Sequence, residues 1–266
     1  MKVYFVNITQ FNPSYGLAAL AAYLGKADED YEIRILDVNY DDVLKTINQD
    51  RPAIVGISSM TVYYSRALEY AERIKSIYNP LIIIGGVHIS ALPESFENCF
   101  DYAVLGEGEE TTLELLKRLA AKKDASDIPG VACVRNGRLQ VAASRPPITD
   151  INALPIPNWD YIHKDYFTPR YEFSKRQAVG QIMTSRGCPY QCLFCSTSRF
   201  WKKLRMFSVE RVCEEIAVLY RKHNVTMINV MDDMFTISAP RLHQIADGLE
   251  RLKIREPISK LGFFDE

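Results

Sequence analysis

From residue 2 to about residue 122, short apolar runs alternate with helical patterns, and no other feature of the chain restricts its fold more. The runs are Val3–Ile8, Ile33–Val38, Ile54–Ser58, Leu81–Ile84 and Tyr102–Leu105. Each is rich in β-branched residues and almost continuously apolar, as a strand is when both faces of its sheet are covered. Between them, Leu17–Leu24, Val43–Ile47, Ala67–Ile77 and Thr112–Leu119 repeat apolar residues at helical spacing. Such a β-α-β-α order implies a parallel sheet with right-handed crossovers. The expected fold class is therefore α/β, with a five-stranded, doubly wound, Rossmann-like sheet over residues 1–125.

Ligands of such sheets bind beyond the carboxyl ends of the strands. The first run is followed by Gln10-Phe11-Asn12-Pro13-Ser14-Tyr15-Gly16 and the third by Ser58-Ser59-Met60-Thr61. The fourth leads into Gly85-Gly86-Val87-His88 and the fifth into Gly106-Glu107-Gly108-Glu109. A single glycine here is explained by a tight turn. Four small-residue loops on one edge give the clearance that a large flat ligand needs. No G-x-G-x-x-G follows the first strand, which makes a dinucleotide the weaker candidate.

A length of 266 residues suggests two domains. A formal net charge of -1 sets up no global field for nucleic acid or an anionic membrane. The local basic run Arg199, Lys202, Lys203, Arg205 reads as a solvated face. The start, Met1 to Asn7, is too short for a signal peptide, and no apolar stretch reaches the roughly 18 residues of a membrane span. A cytoplasmic protein is expected. In that reducing setting six cysteines do not suggest disulfides, and three of them fall within eight residues, which points to metal or redox chemistry.

Residues 126–177 read as a hairpin followed by a linker. Val131–Val134 and Leu139–Ala142 flank Asn136-Gly137, the pair that a type I′ turn demands. Pro146-Pro147 and Leu154-Pro155-Ile156-Pro157 block helix, so the stretch should run extended along a surface. Its aromatics, Trp159, Tyr161, Tyr166, Phe167, Tyr171 and Phe173, should pack rather than float.

The third segment, 178–266, carries Gln181-Ile182-Met183-Thr184-Ser185-Arg186-Gly187-Cys188-Pro189-Tyr190-Gln191-Cys192-Leu193-Phe194-Cys195. A C-x3-C-x2-C loop this short can set three thiolates around one compact iron–sulfur cluster and leave one iron open, as catalytic metal sites do. Structural zinc would want a fourth ligand at its own short spacing. Cys213 and His223, ten residues apart on one helical pattern, match that poorly. A helix over Val209–Tyr220 and an apolar strand over Met227–Met231 follow, and the strand ends in Asp232-Asp233, at the catalytic edge of a β/α barrel. Paired aspartates there could simply begin the next helix.

Several of these segments resemble one family. The loops Gly85-Gly86-Val87-His88 and Gly106-Glu107-Gly108-Glu109-Glu110-Thr111, with Tyr15–Leu24, look like the cobalamin-binding domain of cobalamin-dependent radical S-adenosylmethionine enzymes. Cys188, Cys192 and Cys195, with Phe194 in the aromatic place, resemble their C-x3-C-x-aromatic-C signature. The proline phrase Leu154–Asp160, Arg186-Gly187 and Arg205-x-x-Ser208 are similar as well.

The resemblance implies that the three cysteines hold a 4Fe-4S cluster whose open iron chelates S-adenosylmethionine. Phe194 would then lie beside the adenine, and Asp232 and Asp233 would meet the methionine ammonium. Cobalamin would sit against Ser58, Ser59, Thr61, Gly85, Gly86, His88, Gly106, Glu107 and Gly108. The family's D-x-H-x-x-G is absent, because the loop after the first strand has no histidine, so cobalamin would lack that lower ligand. His88 could be a substitute ligand, or simply a surface or hydrogen-bonded histidine.

The implied activity is reductive cleavage of S-adenosylmethionine to a 5′-deoxyadenosyl radical, with methyl transfer or radical cyclisation or rearrangement on a small-molecule substrate. An electron donor such as flavodoxin or ferredoxin would serve it. After Asp233 only a helix over Pro240–Leu252 and a run at Ile258–Phe264 remain, so the barrel is expected to be incomplete. A fragment, a truncated product and a partner chain completing the barrel are all open. A non-catalytic corrinoid- or cluster-binding module is the alternative.

Overall fold

The computed structural model describes residues 1–10, 13–27, 30–172, 175–201, 203–254 and 263–265. Phe11, Asn12, Phe173, Lys202 and the start of the Ile258–Phe264 run lie outside them. Two compact units are present, Met1–Ile148 and Thr149–Glu266.

The first unit is built on strands β1 (Lys2–Asn7), β2 (Glu32–Asp37), β3 (Ile54–Ser58), β4 (Leu81–Gly85) and β5 (Tyr102–Val104). All five run parallel, in the order β2-β1-β3-β4-β5. The sequence order thus reverses between β1 and β3, which opens a crevice at their carboxyl ends. The helices are α1 (Tyr15–Ala27), α2 (Val43–Asp50), α3 (Tyr64–Tyr78), the short α4 (Val87–Ala91) and α5 (Gly108–Ala120).

Alternate strand residues feed the two faces. The register rows Tyr4–Val55–Ile82 and Val6–Ile57–Ile84 belong to the core that also holds Val43, Ile47, Ala67, Ala71 and Ile74 of α2 and α3. On the other side of the strands Gly56 makes room for Phe5, whose ring stands 2.5 Å from where a Cβ would be. The alternation of sequence patterns is therefore reproduced, with α4 added where no helix was expected.

The hairpin of β6 (Val131–Arg135) and β7 (Arg138–Val141) is not free-standing. It pairs antiparallel with β5 and extends the sheet to seven strands. Asn136 and Gly137 have φ of 52° and 72°, the left-handed pair that a type I′ turn requires. The proline stretch does not run uniformly extended. It forms single 3-10 turns at Ile151–Ala153, Trp159–Tyr161 and Lys164–Phe167, capped by the side chains of Asp150, Asn158 and His163. Trp159, Tyr166 and Phe167 are buried.

In the second unit β8 (Arg170–Glu172) and β9 (Lys175–Gln177) form a hairpin. Strands β10 (Val179–Ile182), β13 (Met227–Val230) and β14 (Phe263–Asp265) make a parallel sheet, and β11 (Ser185–Arg186) pairs antiparallel with β12 (Arg205–Met206). The helices are α6 (Thr197–Phe200), α7 (Val209–His223) and α8 (Ala239–Arg251). Ser208 and Ser238 cap α7 and α8 by accepting from Arg211 N and Arg241 N. Gly248 of α8 faces Cys213 of α7 so closely that a Cβ would lie 2.5 Å from its Sγ. Cys213 is thus a packing residue, and burial pushes its thiol pKa up.

Gly86 has φ 97° and ψ −178°, a region open to glycine alone, and a Cβ there would stand 2.6 Å from Ser59 O. Gly86→Ala should destabilise the protein by at least about 2 kcal/mol. Gly16→Ala, where a Cβ meets nothing within 4 Å, should leave thermal unfolding unchanged or raise its midpoint. Equal midpoints for the two variants would refute the assignment.

Candidate functional site

The cysteines sit on a loop closed at its neck. Residue 186 pairs with 205 in the β11–β12 ribbon, so residues 187–204 form one excursion from it. At its base Gly187 has φ 90°, and a Cβ would stand 2.6 Å from Lys203 O and 2.9 Å from Trp201 Cβ. Only glycine lets the limbs approach this far. The guanidinium carbons of Arg186 and Arg205 lie 5.5 Å and 5.9 Å from the centre of the Trp201 ring.

Cys188 and Cys195 are half-buried, Cys192 is exposed, and none of the three is in a disulfide. Cys195 N donates to Cys192 O at 3.1 Å. Leu193 and Phe194 point fully into solvent, at 101% and 94% exposure. Among the described residues no three His, Cys, Asp or Glu side chains converge as ligands of a single metal ion. Thiolates of a four-iron cluster surround a cage rather than a point. Three cysteine side chains on one short loop match that donor chemistry.

Asp232 and Asp233 hold the two limbs of this loop. Asp232, buried at the end of β13, accepts from Thr184 N (2.6 Å), Thr184 Oγ1 (2.6 Å), Ser185 N (3.2 Å) and Ser185 Oγ (2.7 Å). Both of its oxygens are therefore engaged on the segment leading into Cys188. Asp233, exposed, accepts from Thr197 Oγ1 at 2.8 Å, two residues beyond Cys195. The expectation that both aspartates face a ligand ammonium is corrected for Asp232, which is spent inside the protein. Arg241 supports the same segment, donating to Thr184 Oγ1 (3.1 Å), Thr184 O (3.0 Å) and Phe207 O (2.9 Å). Burial lowers the Arg241 pKa while the Asp232 carboxylate opposes the shift. Nothing in the sequence marked Thr184, Ser185 or Arg241 as partners of Asp232.

The strand-end loops of the first unit are also tied together. His88 is buried, with Nδ1 3.2 Å from Thr61 Oγ1 and Nε2 3.1 Å from Ser95 Oγ, and its ring lies 4.0 Å from that of Tyr64. His88 N donates to Ser59 O, and Ser59 N donates to Gly85 O. Ser90 Oγ donates to Gly86 O at 2.8 Å and accepts from Gly106 N at 2.9 Å. Glu107 accepts from Ile148 N at 2.7 Å.

His88 as a metal ligand is therefore corrected. Both ring nitrogens are occupied, and the hydrogen-bonded reading holds. Ser58, Ser59, Thr61, Gly85, Gly86, Gly106, Glu107 and Gly108 do line the carboxyl ends of adjacent strands β3, β4 and β5. A Cβ at Gly106 would meet nothing within 4 Å, and one at Gly85 only Val104 O at 3.8 Å, so this edge keeps open room. Exposed Met60, Val62 and Val87 stand on the same edge, an apolar rim that the sequence reading missed.

At the crevice, Asn7 Nδ2 donates to Asp37 Oδ2 (2.6 Å), and Asn39 N and Nδ2 donate to Asp37 Oδ1 (2.8 and 2.7 Å). The pairs Asn7-x-Thr9 and Asp37-x-Asn39 closing apolar strands were the available signal.

Asp232→Asn puts a donor among donors and should cost about 3 kcal/mol of stability, with loss of iron on anaerobic reconstitution. Asp233→Asn, with its exposed bond to Thr197, should move the unfolding midpoint little. A smaller effect at Asp232 than at Asp233 would overturn the assignment.

Burial pushes His88 and His223 below 6.5, the value they take in the unfolded chain. As pH falls through that value the unfolded chain takes up protons that the folded one refuses. Their contribution is present above it and is lost below. Thermal melts should drop between about pH 7.5 and pH 5.5, and His88→Gln should flatten part of the slope.

Residues 1–116 match the family model described as the B12 binding domain. An uncharacterized methyltransferase of Pyrococcus horikoshii is 34% identical over 246 residues, covering 88% of this chain and 51% of that protein. An anaerobic magnesium-protoporphyrin IX monomethyl ester cyclase of Rubrivivax gelatinosus is 28% identical, covering 89% of this chain and 44% of that one. The chain thus spans about half the length of these relatives. The radical S-adenosylmethionine methyltransferase TsrM of Kitasatospora setae shares the fold, with a TM-score of 0.76 at 18% identity, over 98% of this chain and 54% of its own. The cobalamin-dependent S-adenosylmethionine radical enzyme OxsB shares it at 0.75 and 22% identity, over 94% and 37%. No helix among the described residues is long and apolar enough to cross a membrane.

Proposed function

Since the chain belongs with the cobalamin-binding-domain radical S-adenosylmethionine proteins, we propose that it acts as such an enzyme, transferring a methyl group to an unactivated carbon of a small molecule. The observation that carries this reading is the loop of Cys188, Cys192 and Cys195 gripped on both limbs by adjacent strand-end carboxylates. The cysteines hold a 4Fe-4S cluster. Phe194, held away from the protein body, is free to cover the adenine of S-adenosylmethionine. Asp233 takes the methionine ammonium, while Asp232 positions the loop.

The open edge of β3, β4 and β5, with its rim of Met60, Val62 and Val87, takes cobalamin. Ser58, Ser59, Thr61, Gly85, Gly86, Gly106, Glu107 and Gly108 form its wall. Neither His88 nor the loop after β1 offers a lower ligand. When bound, the cluster supplies the electron that cleaves S-adenosylmethionine, and the corrinoid carries the methyl group. A flavodoxin- or ferredoxin-type donor delivers the electron.

Methyl transfer is favoured because the Pyrococcus relative and the cytidylyl-2-hydroxyethylphosphonate enzyme of Streptomyces wedmorensis are both named methyltransferases. The Rubrivivax cyclase supports radical ring formation as the second reading.

Protein reconstituted anaerobically with iron and sulfide should bind about four irons per chain and show a visible cluster band. Serine at Cys188, Cys192 or Cys195 should remove both. Added cobalamin should bind with a corrin absorbance change, and reduction with S-adenosylmethionine should release 5′-deoxyadenosine. Oxygen-free protein that takes up no iron would sink the proposal.

A further inference from the structure

The parallel sheet of the second unit has one face for its helices and another that carries amides. The register sets Gly180 beside Ile228 and Ile182 beside Val230, all buried. A Cβ at Gly180 would stand 3.2 Å from Leu219 of α7 and 3.0 Å from Val225, so these positions face the helix side. The intervening positions, Val179 beside Met227 and Gln181 beside Asn229, face the other way. Inward positions of β/α barrels are normally filled by Val, Ile and Leu. Here the middle of that face holds neighbouring carboxamides on adjacent strands.

Gln181 is only 6% exposed. The Oδ1 of Asn229 and the Oε1 of Gln177 are buried without a partner. A buried polar atom left unpaired costs about 1–3 kcal/mol, and native folds rarely keep one without a reason. Asn229 lies three residues before Asp232, about 10 Å down the strand at 3.3 Å per residue. The amides therefore sit one layer beneath the edge that carries the cysteine loop.

We propose that Gln181 and Asn229 form a substrate subsite that binds a neutral hydrogen-bonding group such as a hydroxyl or an amide. The unpaired Oδ1 of Asn229 selects an O–H or N–H donor. Val179, Gln181, Met227 and Asn229, the residues of this face on β10 and β13, carry no charge, so a carboxylate or phosphate finds no counter-ion among them. Naming this a substrate subsite rests on the proposed enzymatic reading. The unsatisfied amides themselves do not.

The test uses N-methylacetamide as the neutral probe and acetate as the charged one, on the whole chain with labelled side-chain amides. N-methylacetamide should shift the Gln181 and Asn229 resonances saturably and acetate should not. Asn229→Leu and Gln181→Leu should abolish that response. Both variants should unfold at the parent temperature or higher, because an apolar side chain replaces an unpaired polar one. Both should keep the parent's iron content after reconstitution. A midpoint lowered by several degrees, no response to N-methylacetamide, or an equal response to acetate would each overturn the subsite. If the parent binds no iron but its amides still respond to the neutral probe, the cluster reading fails and the binding site stands.

Discussion

The buried carboxylate of Asp232 is the interaction on which the cysteine loop depends. A carboxylate in a protein interior is unfavourable unless donors surround it. Here four donors do, and all come from Thr184 and Ser185. The strand below is anchored by Ile228 and Val230, both buried. The position of the loop is thereby inherited in part from the sheet, while Leu193 and Phe194 at its tip stand in solvent. Asp233 adds a second hold at Thr197, on the far limb. One strand end thus fixes both approaches to the three thiols. Arg241 closes the arrangement from α8 by binding the same Thr184.

The first unit meets a similar physical problem at its strand ends. Parallel strands end abruptly, and the N–H and C=O groups just beyond them need partners. The groups that meet this need are Asn7 and Asp37 at the crevice, and Ser59, His88 and Ser90 along the neighbouring loops. Because the loops bind each other, the edge is shaped before any ligand arrives, and less ordering entropy is lost on binding. The small residues keep their meaning in this setting. Gly86 permits the close approach to Ser59, while Gly106 leaves space.

Whatever repeats or lies close in sequence was legible there. The strand runs, the helix patterns and the Asn136-Gly137 turn all rest on neighbours within a few residues, and among the described residues the structure reproduces those of the first unit. Partnerships across long separations were not legible. Asp232 meets Thr184 and Ser185 across 48 and 47 residues, so the sequence showed a pair of acids at a strand end without showing that one was already used. In the sequence His88 was open as a ligand, a surface or a hydrogen-bonded histidine, because Thr61 lies 27 residues away. The hairpin looked independent because its pairing with β5 spans the whole of α5.

The contrast between edge and interior of the second sheet follows from the same account. At the edge, the side-chain donors and acceptors of Thr184, Ser185 and Asp232 are bonded to one another, because a loose loop would scatter the thiols. One layer below, the strand backbones are held by their own ladder, so Gln181 and Asn229 are not needed to position anything. Apolar residues would fill those places with more stability. The fold thus combines a saturated polar network where geometry must be fixed with unsaturated amides on a rigid floor beneath it. A bound molecule can complete those amides without moving the strands that carry them.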